Sequence, residues 1–178
     1  MPTRSNTDML VLALVAEGPI HGYDLVKRSG ESGISDWADL AASSVYLSLK
    51  NLEQMGYIKA KEVRVGKSPP RAVYRITGSG KNALVASLLR MLTEPVDFRD
   101  DFYIALLGAE AIPSDKAAEA LEIHREQVER RLGEISHFLS ENEGSMSLPY
   151  KAIYSRLIAQ FKAHLDWLDE FARTIKSR

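Results

Sequence analysis

Apolar side chains crowd residues 7 to 16, where Met9, Leu10, Ala13 and Leu14 are set to be largely buried, and that density predicts a helix with little free face. Glu17-Gly18-Pro19 ends it, and Pro19 sits near the start of a second helix, about 20 to 29. There the pattern buries Ile20, Tyr23 and Val26 and shows Asp24, Lys27 and Arg28. Gly22 beside Tyr23 predicts a close helix approach with the aromatic ring filling the wedge. The Gly/Ser-rich run 29 to 35 reads as a flexible connection, and Trp37 after it as core or interface packing.

From 43 the period is again helical. Ser43 is the expected N-terminal cap. On a wheel of about 100° per residue, Val45, Leu49, Leu52 and Met55 fall on one side. Ser43, Tyr46, Leu47, Lys50, Asn51 and Gln54 fall on the other. Gly56 stops the helix by entering the left-handed region. β-leaning sequence then flanks Gly66-Lys67-Ser68-Pro69-Pro70-Arg71, a hairpin with a stiff basic tip. On its second strand Tyr74 and Ile76 face one way, and Val73, Arg75 and Thr77 the other. On its first strand Val63 and Val65 lie on the lysine side, which a bulge or a strand shared between two surfaces would each explain. Thr77 or Ser79 caps a helix at about 80 to 92, with Leu84, Leu88, Leu89 and Leu92 as its apolar face. Thr93-Glu94-Pro95-Val96 breaks the pattern and divides the chain into domains 1–92 and 93–178.

The second half is helical throughout. A short apolar helix at 98 to 109 precedes a capped restart at Ile112-Pro113-Ser114-Asp115. From 115 to 141, Leu121, Val128 and Ile135 recur at sevens beside Leu132 and Leu139, with Arg125 interrupting one seam position. After a turn at 143 to 149, Tyr154, Phe161, Leu168 and Ile175 repeat at sevens in a last helix. Stripes this wide pack on each other within one chain or against the same pair from a second chain.

Composition narrows the class without settling it. No apolar run approaches the roughly 20 residues of a membrane span, and the N-terminal apolar run reads as a cytoplasmic helix rather than a signal peptide. The chain has no cysteine, which removes disulfides and thiolate metal sites. Its net charge of −1 is unevenly spread. Residues 1–92 hold 12 Lys/Arg against 8 Asp/Glu (+4), and residues 93–178 hold 11 against 16 (−5). Residues 59 to 75 carry six basic side chains with only Glu62 opposing them. Such asymmetry suits one half meeting a polyanion, while a mixed surface with no partner is the bland reading.

A half-buried helix followed by a basic hairpin is the layout of a winged helix-turn-helix. The fold class is therefore mainly α: a winged helix-turn-helix domain with a two-stranded wing, followed by an α-helical dimerisation domain. Ser43, Ser44, Tyr46, Leu47, Lys50 and Asn51 offer hydroxyls, an amide, a cation and a methyl contact to base edges of double-stranded DNA. Lys67, Ser68 and Arg71 at the wing tip suit phosphate or the minor groove, and Lys59, Lys61 and Arg64 are unspecific phosphate neighbours. A merely solvated face is the competing reading. Leu47 either meets a thymine methyl or is covered by protein. No metal site and no cofactor follow from His21, His124, His137 and His164, which lack ligand spacing. No nucleophile with its base, phosphate-cradling loop or isolated acid pair marks an enzyme.

Three stretches, LVLALVAEGPIHGYDLVKR (10–28), SSVYLSLKNLEQMGYI (43–58) and PPRAVYRITGSGKNAL (69–84), resemble the PadR family of bacterial transcriptional regulators. The tyrosine at 46 and the YRIT–G pattern at 74–80 carry most of that likeness. The resemblance implies a DNA contact at Tyr46, a homodimer joined through the C-terminal helices, and repression of neighbouring genes from a pseudo-palindromic operator. It further implies a small aromatic effector, for which Trp37, Tyr103, Tyr154, His164 and Trp167 are the amphipathic candidates. A winged-helix module that binds protein and never DNA is the rival, and steep salt dependence of affinity separates the two.

Overall fold

The computed structural model describes residues 6–31, 34, 37, 38, 40–64, 71–96 and 100–176, with the backbone alone at 29–31 and 175–176. The chain forms two compact units, Met1–Asp97 and Phe98–Arg178.

In the first unit, α1 (Asn6–Ala16) is the central post. Met9, Val11, Leu12, Leu14 and Val15 are all buried, which is why its apolar run shows almost no amphipathic period. Asp8 in its first turn is buried too, where the helix dipole favours a carboxylate. Next come β1 (Ile20–His21) and α2 (Gly22–Glu31), then α3 (Ala42–Gln54), β2 (Ile58–Val63), β3 (Arg71–Ile76) and α4 (Gly78–Thr93). α1 packs on α3, α4 and β3, and α2 packs on α3. Burying Val45, Leu49 and Leu52 of α3 against this post stabilises the unit by roughly 1.5–3 kcal/mol per side chain.

The sheet has three strands rather than two. β1 joins the free edge of the hairpin in the order β1-β3-β2, all antiparallel, with Ile20 opposite Tyr74 and Ile58 opposite Ile76. The β2–β3 register runs unbroken from Ile58 to Val63, so there is no bulge in that span. Val63 faces the lysine side because the alternation is regular; Val65 lies outside the described residues.

Several side chains sit elsewhere than their pattern predicts. Ser43 does not cap α3: the N-cap is Ala41, two residues earlier, without a side-chain bond, and the Ala41 carbonyl accepts from Val45 N at 3.1 Å. Met55 lies exposed at the helix end, past the last residue the core reaches. Tyr23 is 64% exposed, and the ring beside Gly22 is that of Tyr46. On α4 only Gly80, Leu84 and Ser87 are buried, and Leu88, Leu89 and Leu92 are exposed, because α4 meets α1 through the narrower row.

One junction fixes the base of the hairpin. Gly56 takes φ +72 and its amide donates to Glu53 O, while Tyr57 N donates to Leu52 O at 2.9 Å. This is a Schellman ending, which glycine accepts without steric cost. Thr77 caps α4 by accepting from Gly80 N at 3.0 Å, and its hydroxyl donates to Gly56 O at 2.7 Å. Ser79 donates to the same carbonyl at 2.9 Å, and Thr77 N donates to Tyr57 O. A Cβ at Gly80 would stand 2.0 Å from Tyr57 O, so no other residue fits there without displacing backbone.

The second unit contains α5 (Phe102–Leu107), a short helical turn (Ala109–Ala111), α6 (Ser114–Asn142) and α7 (Leu148–Lys176). α5 is shorter than its apolar run predicts; Gly108 closes it, and residues 97–99 lie outside the described part. The restart at α6 has no side-chain cap, since its N-cap residue is Pro113. α6 and α7 pack on each other within the chain through Val128, Ile135, Tyr154 and Leu168, all buried positions of the two seams. Arg125 interrupts the seam at half-exposure because it reaches across to Asp169 at 2.8 Å and along its own helix to Glu129 at 3.1 Å. The Asp169 carboxylate raises the Arg125 guanidinium above its ordinary range.

Candidate functional site

The face of α3 opposite its core seat is free. Ser43 and Lys50 are exposed, Tyr46 is 49% exposed and Leu47 59%, while Ser44 and Asn51 are half-buried. Leu47 is thus not covered by this chain. Arg71 opens β3 opposite Val63 and is exposed, as are Lys59, Lys61 and Arg64. Lys67 and Ser68 lie outside the described residues. The Thr77 junction bonds the end of α3 to the base of β2 and β3, so the helix and the base of the hairpin are held together.

Between the start of α2, α3 and β3 lies a hollow of about 550 Å³, lined by His21, Gly22, Tyr23, Tyr46, Arg71, Ala72 and Tyr74. His21 Nδ1–H donates to Ala72 O at 3.1 Å, which ties the ring to β3. A Cβ on Gly22 would come within 3.0 Å of Tyr46 Cε1 and 3.3 Å of Leu49 Cδ1, so the bare glycine is what admits the Tyr46 ring. Burial, then the nearby Glu53 carboxylate and Tyr46, push the Tyr74 phenol up, and it keeps its proton. Sequence reasoning missed Tyr23, which its period marks as buried, and Tyr74, which it placed only beside Ile76 on one face of the strand.

The second unit holds a larger cavity of about 860 Å³. Tyr103, His164 and Trp167 line it together, and with them Asp100, Phe102 and His124, which periodicity did not single out. Phe102 stacks on His124 at 4.8 Å and meets Trp167 edge-on at 5.9 Å, and Trp167 stacks on Phe171 at 4.9 Å. His124 Nε2 and His164 Nε2 are 3.0 Å apart, a hydrogen bond in which one ring donates and the other accepts. Desolvation, then His124, lowers the His164 imidazole below its ordinary range, with Asp100 partly opposing. Tyr154 is fully buried against Phe138 at 5.1 Å and does not line this cavity. Trp37 belongs to the first unit, where its buried indole N–H has no partner among the described residues. No cluster of three or more metal-ligating side chains occurs among the described residues, and no described helix is long and apolar enough to cross a membrane.

Comparison with known proteins agrees with this architecture. The chain is 24% identical over 176 residues to the negative transcriptional regulator PadR of Bacillus subtilis, covering 93% of this chain and 94% of that one. The crystal structure of Bacillus subtilis PadR in complex with operator DNA superposes with a TM-score of 0.82 at 20% identity, over 94% of this chain and 98% of that one. The same regulator in complex with p-coumaric acid gives 0.79 at 18% identity, over 98% and 99%. At such identities the structures speak for the fold: a winged helix-turn-helix followed by a helical region. Residues 11–86 match the profile of the Transcriptional regulator PadR-like family, whose members are regulators and not enzymes. Across that winged unit, the chain matches the PadR-like family of transcriptional regulators.

Proposed function

We propose that this chain is a cytoplasmic repressor that binds a pseudo-palindromic operator as a homodimer and is released by a small aromatic effector. The observation that carries the reading is the free α3 face, bonded at its end to the base of a basic hairpin. Tyr46, Leu47 and Lys50 read base edges with Ser43, Ser44 and Asn51 at their flanks; Lys67, Ser68 and Arg71 hold backbone. Residues 1–92 act as the DNA-binding domain and residues 93–178 as the dimerisation domain. Exposed apolar side chains support a second copy: Leu88, Leu89 and Leu92 on α4, and Leu107, 88% exposed, on α5. The relative from Bacillus subtilis, seen with operator DNA and with p-coumaric acid, supports both ligand classes.

The test begins with selection of duplexes from random-sequence DNA. Tyr46→Ala should cost about 1–3 kcal/mol on the selected site and much less on random duplex. Equal losses on both would remove Tyr46 from sequence reading. Affinity that does not change with salt would favour the protein-interaction module instead, since phosphate neutralisation releases counterions. Sedimentation as a monomer at micromolar concentration would refute the homodimer. For the effector, Tyr103, His164 and Trp167 form the lining, and Trp167 fluorescence should titrate saturably with a phenolic acid. Linkage then requires operator and ligand to weaken each other by one factor.

A further inference from the structure

We propose that the hollow between the start of α2, α3 and β3 is a seat for one phosphodiester of duplex DNA, with Tyr23 and Arg71 as its principal donors. The inference rests on the DNA-binding reading and adds to it a site beside the recognition face.

Four observations on the first unit converge. First, the hollow is polar in one sense only: its ionisable lining is Arg71, His21 and three phenols, with no carboxylate. A phosphate is an acceptor-only anion, so a lining of donors with a guanidinium suits it. Second, Tyr23 is 64% exposed at a helix start where burial was the natural expectation, and it shares the lining with Tyr46. A phenol is an apolar plate with one polar tip, fitted to lie along a sugar while donating to the phosphate beside it. Third, the walls are fixed. The His21 ring is tied to β3 through Ala72 O, and Gly22 leaves room for the Tyr46 ring. A fixed seat loses little freedom when it is filled. Fourth, the Tyr74 phenol, pushed up by burial and then by Glu53, is a donor in the same lining, and the Glu53 carboxylate itself lies outside that lining.

The position also makes sense for docking. α3 meets base edges from within the major groove, and a phosphate held at its flank sets how deep and at what angle it enters. Tyr23 thus acts without reading sequence.

Tyr23→Phe removes one hydroxyl from an exposed ring and leaves the fold alone. It should lower affinity about tenfold, the size of a hydrogen bond to a charged acceptor, and by the same factor on selected and random duplex. The slope of affinity against salt should stay unchanged, because a phenol displaces no counterion, whereas Arg71→Ala should reduce that slope by about one. The deciding measurement is a scan of the selected duplex with single neutral methylphosphonates. One phosphate should exist whose neutralisation weakens the natural protein but has little effect in Tyr23→Phe. If duplexes are selected but no such phosphate couples to Tyr23, the seat is refuted and the DNA-binding reading stands. If no duplex is retained at all, both fall together.

Discussion

The two units of this protein are held in contrasting ways. In the winged unit, short elements meet at a few backbone-level junctions: a carbonyl with two hydroxyl donors, a glycine with no room for a methyl, a two-residue strand. In the helical unit, two helices of 29 residues zip along a long seam and no single residue carries the contact. The first arrangement suits a rigid reader and the second suits a body that can adjust. The same kind of substitution should therefore have opposite effects in the two.

Alanine at glycine is the sharpest probe. Gly80→Ala should destabilise the protein by about 3 kcal/mol, because the new Cβ meets the Tyr57 carbonyl rather than a side chain that can swing away. A urea midpoint equal to that of the natural protein would mean the junction is softer than it looks. Thr77→Val should cost about 1–2 kcal/mol, since the isosteric side chain leaves the buried Gly80 amide without its acceptor. Gly133→Ala has the reverse sign. Nothing lies within 4 Å of the added methyl, and α6 gains about 0.8 kcal/mol of helix propensity. A loss at Gly133 would show that this face of α6 is covered in the assembled protein.

The gentlest probe is pH. The His164 imidazole is lowered below its ordinary range, so the folded state favours the neutral ring. The stability this contributes is present above the unfolded imidazole range, near pH 6.5, and is lost as pH falls through the lower folded value. Protonating both rings would also place two N–H groups 3.0 Å apart with no acceptor between them. In a Trp37→Phe background, Trp167 stacked on His164 at 6.0 Å should report the transition. His164→Gln should flatten it, and an unchanged titration there would assign the signal to another group.

What the sequence made legible follows from range. The α3 stripe of Val45, Leu49 and Leu52, the stop at Gly56, the Thr77 cap and the seams of α6 and α7 all arise from neighbours within a turn or two. Their causes are local, and a single chain displays them. β1 is only Ile20 and His21, and it exists because β3 offers an edge more than fifty residues later. His124 and His164 meet across forty residues, on faces whose other members are ordinary. Leu88, Leu89 and Leu92 show a different limit: a wheel finds an apolar face but not what covers it. Tyr23 combines both limits, since its period marks it as core while the place beside Gly22 is taken by Tyr46.

The Thr77 junction has a consequence for signalling. With the hairpin base bonded to the end of α3, the base of the wing follows the helix. In the proposed homodimer an effector would then act through the separation of the two readers. DNA advances about 34 Å per turn, so a shift of a few ångströms between readers leaves one of them out of step with the groove. Repression would then be encoded as a length, and ligands unrelated in shape could relieve it equally, provided each changes that length.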